Sequence, residues 1–314
     1  MRVCLMVEGQ EGVTWDQWVA LALAAEEAGL DALFRSDHYL SFAKPRERVV
    51  LDAWATLAGL AAVTQRIRLG TLVSPATFRH PSMLAKAVVT ADHISNGRVE
   101  LGLGAGWNEA EHRAYGFPFP PTAVRMEMFA EQAEIIHRSW NDEAFDFAGK
   151  HYTIEGLDAL PKPAHLPHPN LLVGGQAGPK SLAVAARWAD EYNTIFASPE
   201  ECARRHARVL AAWEAAHRDD APVFSLMTGC VVGADRADLE RRARMLMERA
   251  GTAGDAKAWI AGLPNTIISG TVEAAADKLR IFGTAGVSRV MMQMQAHEDV
   301  EMVHVLGRIA REME

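Results

Sequence analysis

The sequence predicts an α/β protein, a closed (β/α)8 TIM barrel with insertions at the C-terminal mouth, and three observations carry that expectation. Eight apolar, strand-like runs alternate along the chain with stretches of helical periodicity. Most of these runs are too apolar to leave a face in water, as in a parallel sheet covered on both sides. Two successive strand ends, 69–81 and 104–109, are rich in glycine and turn residues, at the place where such a barrel builds its site. With 314 residues, 49% of them hydrophobic, the chain can bury one large core, and 1–314 reads as a single domain.

Residues 3–7 form a buried strand, and Thr14 caps a helix whose Trp18, Leu21, Ala25 and Ala28 recur at helical spacing before Gly29. The second strand, 31–35, runs into Ser36-Asp37-His38. A helix at 51–63, a strand at 67–72 and a helix at 81–94, with proline at its start, come next. The fourth strand is 98–103, followed by a helix at 122–140. Strands at 171–174, 192–196, 224–232 and 289–294 complete the eight. Helices at 179–188, 199–217, 236–250 and 271–282 separate them, and a C-terminal helix starts at Glu298. The stretches 144–169 and 252–268 exceed what a barrel connection needs and are expected to cover the mouth, the second with a short helix around 255–262. On the last strand Met291 faces opposite to Met292 and Met294. Trp18, Trp54, Trp140 and Trp188 fall on helices and pack against the barrel, whereas Trp107 lies in the mouth.

A formal charge of −8 argues against nucleic-acid and anionic-membrane partners, both of which need a basic surface, and leaves small molecules. Three scattered cysteines, Cys4, Cys202 and Cys230, make neither a disulfide framework nor a zinc site, and read as core thiols in a reducing cytoplasm. The short apolar run before Glu8 is no secretion signal, and no run is long enough to span a bilayer.

His38, at a strand end with Asp37 beside it, suits general acid or base chemistry near neutral pH, and equally a loop hydrogen bond. His112, His137 and His217 lie in helical contexts and read as surface or structural. The 102–106 run is G-x-G-x-G after the fourth strand, not the G-x-G-x-x-G of a dinucleotide fold after the first. Gly174-Gly175-Gln176-Ala177-Gly178-Pro179-Lys180-Ser181 joins a strand to a helix N-terminus, where free N–H groups and the helix dipole favour a phosphate, or is a plain connection. No Walker A, G-x-S-x-G or H-E-x-x-H motif is present.

Taken together, these residues resemble the bacterial luciferase-like flavin and deazaflavin oxidoreductases over almost the whole chain. The resemblance rests on Ser36-Asp37-His38, on Leu69-Gly70-Thr71 with Phe78-Arg79-His80-Pro81, on the 97–109 run ending Gly106-Trp107-Asn108-Glu109, on Tyr115-Gly116-Phe117 and on Gly174-Gly175. It is greatest for the branch that uses coenzyme F420, with FMN as the alternative cofactor. It implies a non-prolyl cis peptide at Leu72-Val73 or Val73-Ser74, behind the ring. It further implies Asp37, His38 and Ser74 at the ring edge, Gly106 and Asn108 along the tail, and Gly174, Gly175 and Gln176 on the phosphate. His38 is then the proton-transferring residue, and a homodimer is expected, with Trp54, Leu57 and Leu60 as candidates for its interface. One departure is Trp107, where the family's sugar-phosphate dehydrogenases carry an acid; it argues against glucose 6-phosphate and for an uncharged substrate. An aldolase or isomerase would need a lysine or metal carboxylates at a strand end, and Lys86, Lys162 and Lys180 are not there. A non-catalytic cofactor binder is the alternative of another class.

Overall fold

In the computed structural model, which describes residues 1–42 and 48–314, eight parallel strands close on themselves. They are β1 (Arg2–Val7), β2 (Ala32–Arg35), β3 (Arg68–Thr71, continued by β4, Ser74–Pro75), β5 (Val99–Gly104), and, past a hairpin of β6 (Phe145–Ala148) and β7 (Thr153–Leu157), β8 (Asn170–Gly174), β9 (Glu191–Ile195) and β10 (Val223–Gly233). After β11 (Ile268–Thr271), which extends the rim beside β10, the last barrel strand is β12 (Arg289–Met294). β1 lies between β2 and β12, and β9 pairs with β10 to shut the ring.

The helices are α1 (Trp15–Glu27), α2 (Ala53–Val63), α3 (Pro81–Ser95), α4 (Glu109–Tyr115), α5 (Thr122–Asn141), α6 (Pro179–Trp188), α7 (Pro199–Ala215), α8 (Arg236–Arg249), α9 (Ala256–Ala261), α10 (Val272–Thr284) and α11 (Glu301–Glu312). Their starts are written locally. Thr14 with Gln17, and Ser198 with Glu201, form capping boxes, and α3, α6 and α7 open on proline.

Side chains alternate across each strand, so one set packs outward under the helices and the other fills the lumen. Val3, Leu5, Val7, Met292 and Met294 join the outer core with Trp18 and Leu21, while Cys4, Met6, Phe34, Leu172, Met227 and Met291 fill the lumen. Leu57 and Leu60 are wholly buried in the outer core and Trp54 is almost so, so the barrel wall, and not a partner copy, covers these three. All three cysteines are buried free thiols. Among the described residues no helix is long and apolar enough to cross a membrane.

The lumen floor is charged. Arg289 forks onto Glu100 at 2.7 and 2.9 Å and reaches Glu191 at 2.9 Å and Asp31 at 2.7 Å, while Arg68 also bonds Glu100. Burial raises the Glu100 carboxyl pKa, but Arg289 and Arg68 outweigh it and hold the group below its usual range.

Of the two insertions, only 252–268 lies at the mouth, where Thr228 donates to the Thr266 carbonyl and Ile267 approaches Gly229. The expectation for 144–169 is corrected. This segment follows a helix and therefore leaves from the opposite end of the barrel; its hairpin packs along α5, where Lys150 and His151 donate to Glu131. Ala164 and His165 then bond Asp92 near the end of α3. Only a connection that follows a strand opens onto the mouth.

Two outcomes are expected. Replacing Arg289 by Met leaves buried carboxylates without their counter-ion, and should cost about 3–5 kcal/mol in urea unfolding. His137, packed at 5.0 Å from both His168 and Trp188, has its imidazole pushed down to about 4 by burial and by His168. The unfolded chain binds that proton near 6.5, so stability should fall as pH drops from 6.5 towards 4, and a His137→Asn variant should flatten that fall in urea midpoints.

Candidate active site

The strand ends converge on a cavity of about 480 Å³. One wall is nearly bare. At the end of β3 the chain turns through a non-prolyl cis peptide, and it is the Leu72-Val73 bond, before β4 resumes pairing with β5. A Cβ at Gly102 would overlap the Thr71 carbonyl and come within 2.9 Å of Val73 Cγ1. One at Gly104 would lie 2.8 Å from Val73 Cγ2, and one at Gly174 3.2 Å from Val73 Cγ1. Glycine at these places lets the Val73 side chain lie against the sheet, so that Leu72, Val73, Gly104, Gly106, Gly174 and Gly175 line the cavity.

His38 stands in the same cavity, but the acid beside it is Glu111, not Asp37. His38 Nδ1 is 2.8 Å from Glu111 Oε2, and the other oxygen of this fully buried carboxylate accepts the backbone N–H groups of Tyr39 and Leu40. A carboxylate only accepts, so Nδ1 carries the proton, and Nε2 is left with no hydrogen-bond partner among the described residues. Phe42 and Trp107 flank the imidazole with ring centroids at 4.7 and 5.8 Å, and Trp107 is 64% exposed at the rim.

Asp37 turns away. Its carboxylate takes Arg79 at 2.5 and 3.2 Å and the Ser74 hydroxyl at 2.6 Å, while the Trp54 indole N–H donates to Ser74 Oγ at 3.0 Å. Arg79 continues to Asp52 and the Tyr39 hydroxyl; burial opposes its charge, yet Asp37 and the other partners raise its pKa above the usual range. Asp37 and Ser74 thus brace the turn at 72–74 from behind and do not line the cavity.

Gly106, at φ +79°, lies on the cavity wall, where a Cβ would come 2.7 Å from Thr77 Oγ1. Asn108 caps α4 by accepting from the Glu111 N–H, so it positions Glu111. In the 174–181 run, the Gly175 N–H donates to the Asn193 carbonyl and the Ala177 N–H to the Tyr192 hydroxyl. The N–H groups of Gln176, whose side chain is exposed, and of Gly178 have no partner among the described residues, and α6 has no side-chain cap.

Sequence reading missed Glu111, Glu8, Gln293 and Asn193. Asn108 followed three residues later by Glu111 has the spacing of a cap, a signal for α4 and its buried acid. Counting in twos along the strands, from Met6 to Glu8, from Glu191 to Asn193 and from Met291 to Gln293, brings the other three polar side chains towards the mouth. His112 is structural, as expected, bonded to Thr77 and to the Asn108 carbonyl.

A family model described as luciferase-like monooxygenase matches residues 3–289. The chain belongs to the luciferase-like monooxygenase family. Among its relatives is a putative coenzyme F420-dependent oxidoreductase of Mycobacterium tuberculosis (strain ATCC 25618 / H37Rv), 35% identical over 57% of this chain and 51% of that protein. The pyrimidine monooxygenase RutA of Pseudomonas syringae pv. syringae is 31% identical over 67% of this chain and 58% of its own length. The chain spans about half the length of the curated relatives it matches. An F420-dependent secondary alcohol dehydrogenase shares the fold of this luciferase-like chain, with a TM-score of 0.80 at 18% identity over 100% of this chain and 99% of that one.

The glycine-backed wall yields a further expectation. Gly104→Ala should displace Val73 and destabilise the protein by about 1–3 kcal/mol in chemical unfolding, as overpacking does.

Proposed function

We propose that this chain is an oxidoreductase that moves a hydride between coenzyme F420 and a small, uncharged organic substrate, with His38 moving the accompanying proton. The observation that carries the reading is the bare wall at Leu72-Val73 in one cavity with the free Nε2 of His38.

The residues present fit a planar tricyclic ring with a phosphate tail. Glycines at 102, 104 and 174 let Val73 lie close against the sheet and leave that wall of the cavity without protruding side chains, and the unpartnered N–H groups of Gln176 and Gly178 at the head of α6 suit a phosphate. When bound, F420 supplies the acceptor or donor of a hydride, and the protein supplies position, a dry site and the proton. In alcohol oxidation His38 Nε2, with the ring proton on Nδ1, would take the proton of the substrate hydroxyl. Glu111 holds Nδ1–H and stabilises the imidazolium that forms; ketone reduction runs the same steps backwards. Phe42 and Trp107 shield the imidazole from water. The relatives named for F420 support the carrier. The likeness to a pyrimidine monooxygenase favours a second reading, FMN-dependent oxygenation in the same cavity.

Fluorescence titration of the purified protein with F420 and with FMN tests this. We expect micromolar or tighter binding of F420, about −8 kcal/mol. Preferential FMN binding moves the protein to the second reading, and binding of neither overturns both. In the F420-loaded protein, His38→Ala should retain the cofactor and lower turnover by about 10²–10⁴-fold; an unchanged rate removes His38 from the chemistry.

A further inference from the structure

The cavity wall away from the glycines carries three acceptor side chains among apolar ones. Going round the barrel from β9 through β10 and β12 to β1, the lining residues are Asn193, Ile195 and the following Phe196, Met227, Gln293 and Glu8. Each amide is turned by its partners. Asn193 Nδ2 faces two acceptors, Ser225 Oγ at 2.9 Å and Met291 Sδ at 3.5 Å, and its Oδ1 is buried with no partner. Gln293 Nε2 donates to Glu8 Oε1 at 2.6 Å, which leaves Gln293 Oε1 free among the described residues.

Glu8 itself has no cation within ion-pair distance among the described residues. Its second oxygen accepts from Gln10 Nε2 at 2.8 Å. Gln10 is held in turn by the Ser36 hydroxyl, at 2.5 Å, and Ser36 Oγ by the Gly9 N–H, at 2.9 Å. The Ser36 proton is therefore already spent inside the protein. What the arc offers to a bound molecule is two amide oxygens and a carboxylate held by amides alone.

We infer that this arc selects a substrate by an uncharged hydrogen-bond donor, a hydroxyl group, and discriminates against a carbonyl or ether of the same shape. A carbonyl placed here would meet acceptors only and leave its own lone pairs unpaired, whereas an O–H or N–H would satisfy an oxygen that is otherwise buried without a partner. The inference rests on reading the mouth as the hydride-transfer site, and it assigns Asn193, Gln293 and Glu8 to recognition of a donor group that the substrate carries besides its reacting hydroxyl. The proton of the reacting hydroxyl goes to His38 and is not available to the arc.

The test uses three molecules of nearly equal shape that differ in head group: 2-propanol, isopropylammonium and acetone. Each is titrated into the ¹⁵N-labelled protein while the side-chain NH₂ resonances of Gln293 and Asn193 are followed. Those signals are assigned by their loss in Gln293→Met and Asn193→Leu, with the shape-conserving Gln293→Glu and Asn193→Asp in reserve should those variants not fold. The expected result is that 2-propanol perturbs both resonances with a dissociation constant at least tenfold below that of acetone; isopropylammonium is the charged control, and perturbation by it alone overturns the inference. Equal or stronger perturbation by acetone, or none by any of the three, overturns the inference. The titration needs no cofactor, so its failure is read separately from that of the F420 and FMN titrations. If donor selection holds while neither cofactor binds, it is the hydride-transfer reading that fails.

Discussion

The buried guanidinium of Arg289 is the constraint on which the rest of this barrel depends. It bridges Glu100 and Glu191, carried by strands on other sides of the lumen, and its charge is matched only when β5, β9 and β12 are held in one register. Because side chains alternate, each of these strands reads from floor to mouth in steps of two residues, roughly 6.6 Å apart. Glu100 leads to Gly102 and Gly104, Glu191 to Asn193, and Arg289 to Met291 and Gln293. A slip of one residue would bury the wrong face of the strand and break the ion pairs together. The charges at the floor therefore fix which side chains reach the mouth.

Two unlike walls result. On the β3, β5 and β8 side, glycines accept the turn at Leu72-Val73, and Asp37, Arg79, Ser74 and Trp54 brace it from behind through hydrogen bonds that never reach the cavity. On the β9, β12 and β1 side the wall is polar, with its amides oriented by neighbours deeper in the lumen. His38 stands between the two, tethered through Glu111 to a helix that follows β5. The loops after β2 and β5 are thus joined by one buried carboxylate, which positions the imidazole more firmly than an exposed contact would.

The sequence by itself determined the barrel, because hydrophobic period, prolines at helix starts and glycines at helix ends are local signals that agree along the whole chain. It also placed His38, Val73, Gly106, Trp107 and Gly174 at strand ends, and those residues do line one cavity. The acid adjacent to His38 in sequence points elsewhere, and the one that holds it arrives from residue 111, some seventy positions away. Likewise Gly175 sits where expected, yet its N–H is taken by Asn193, a pairing set by β8 lying beside β9. Which end of the barrel the 144–169 segment occupies follows from chain direction, not from its length or composition. Tertiary structure decided every such partner, since a hydrogen bond between strands or loops depends on register and closure, and no single segment carries either.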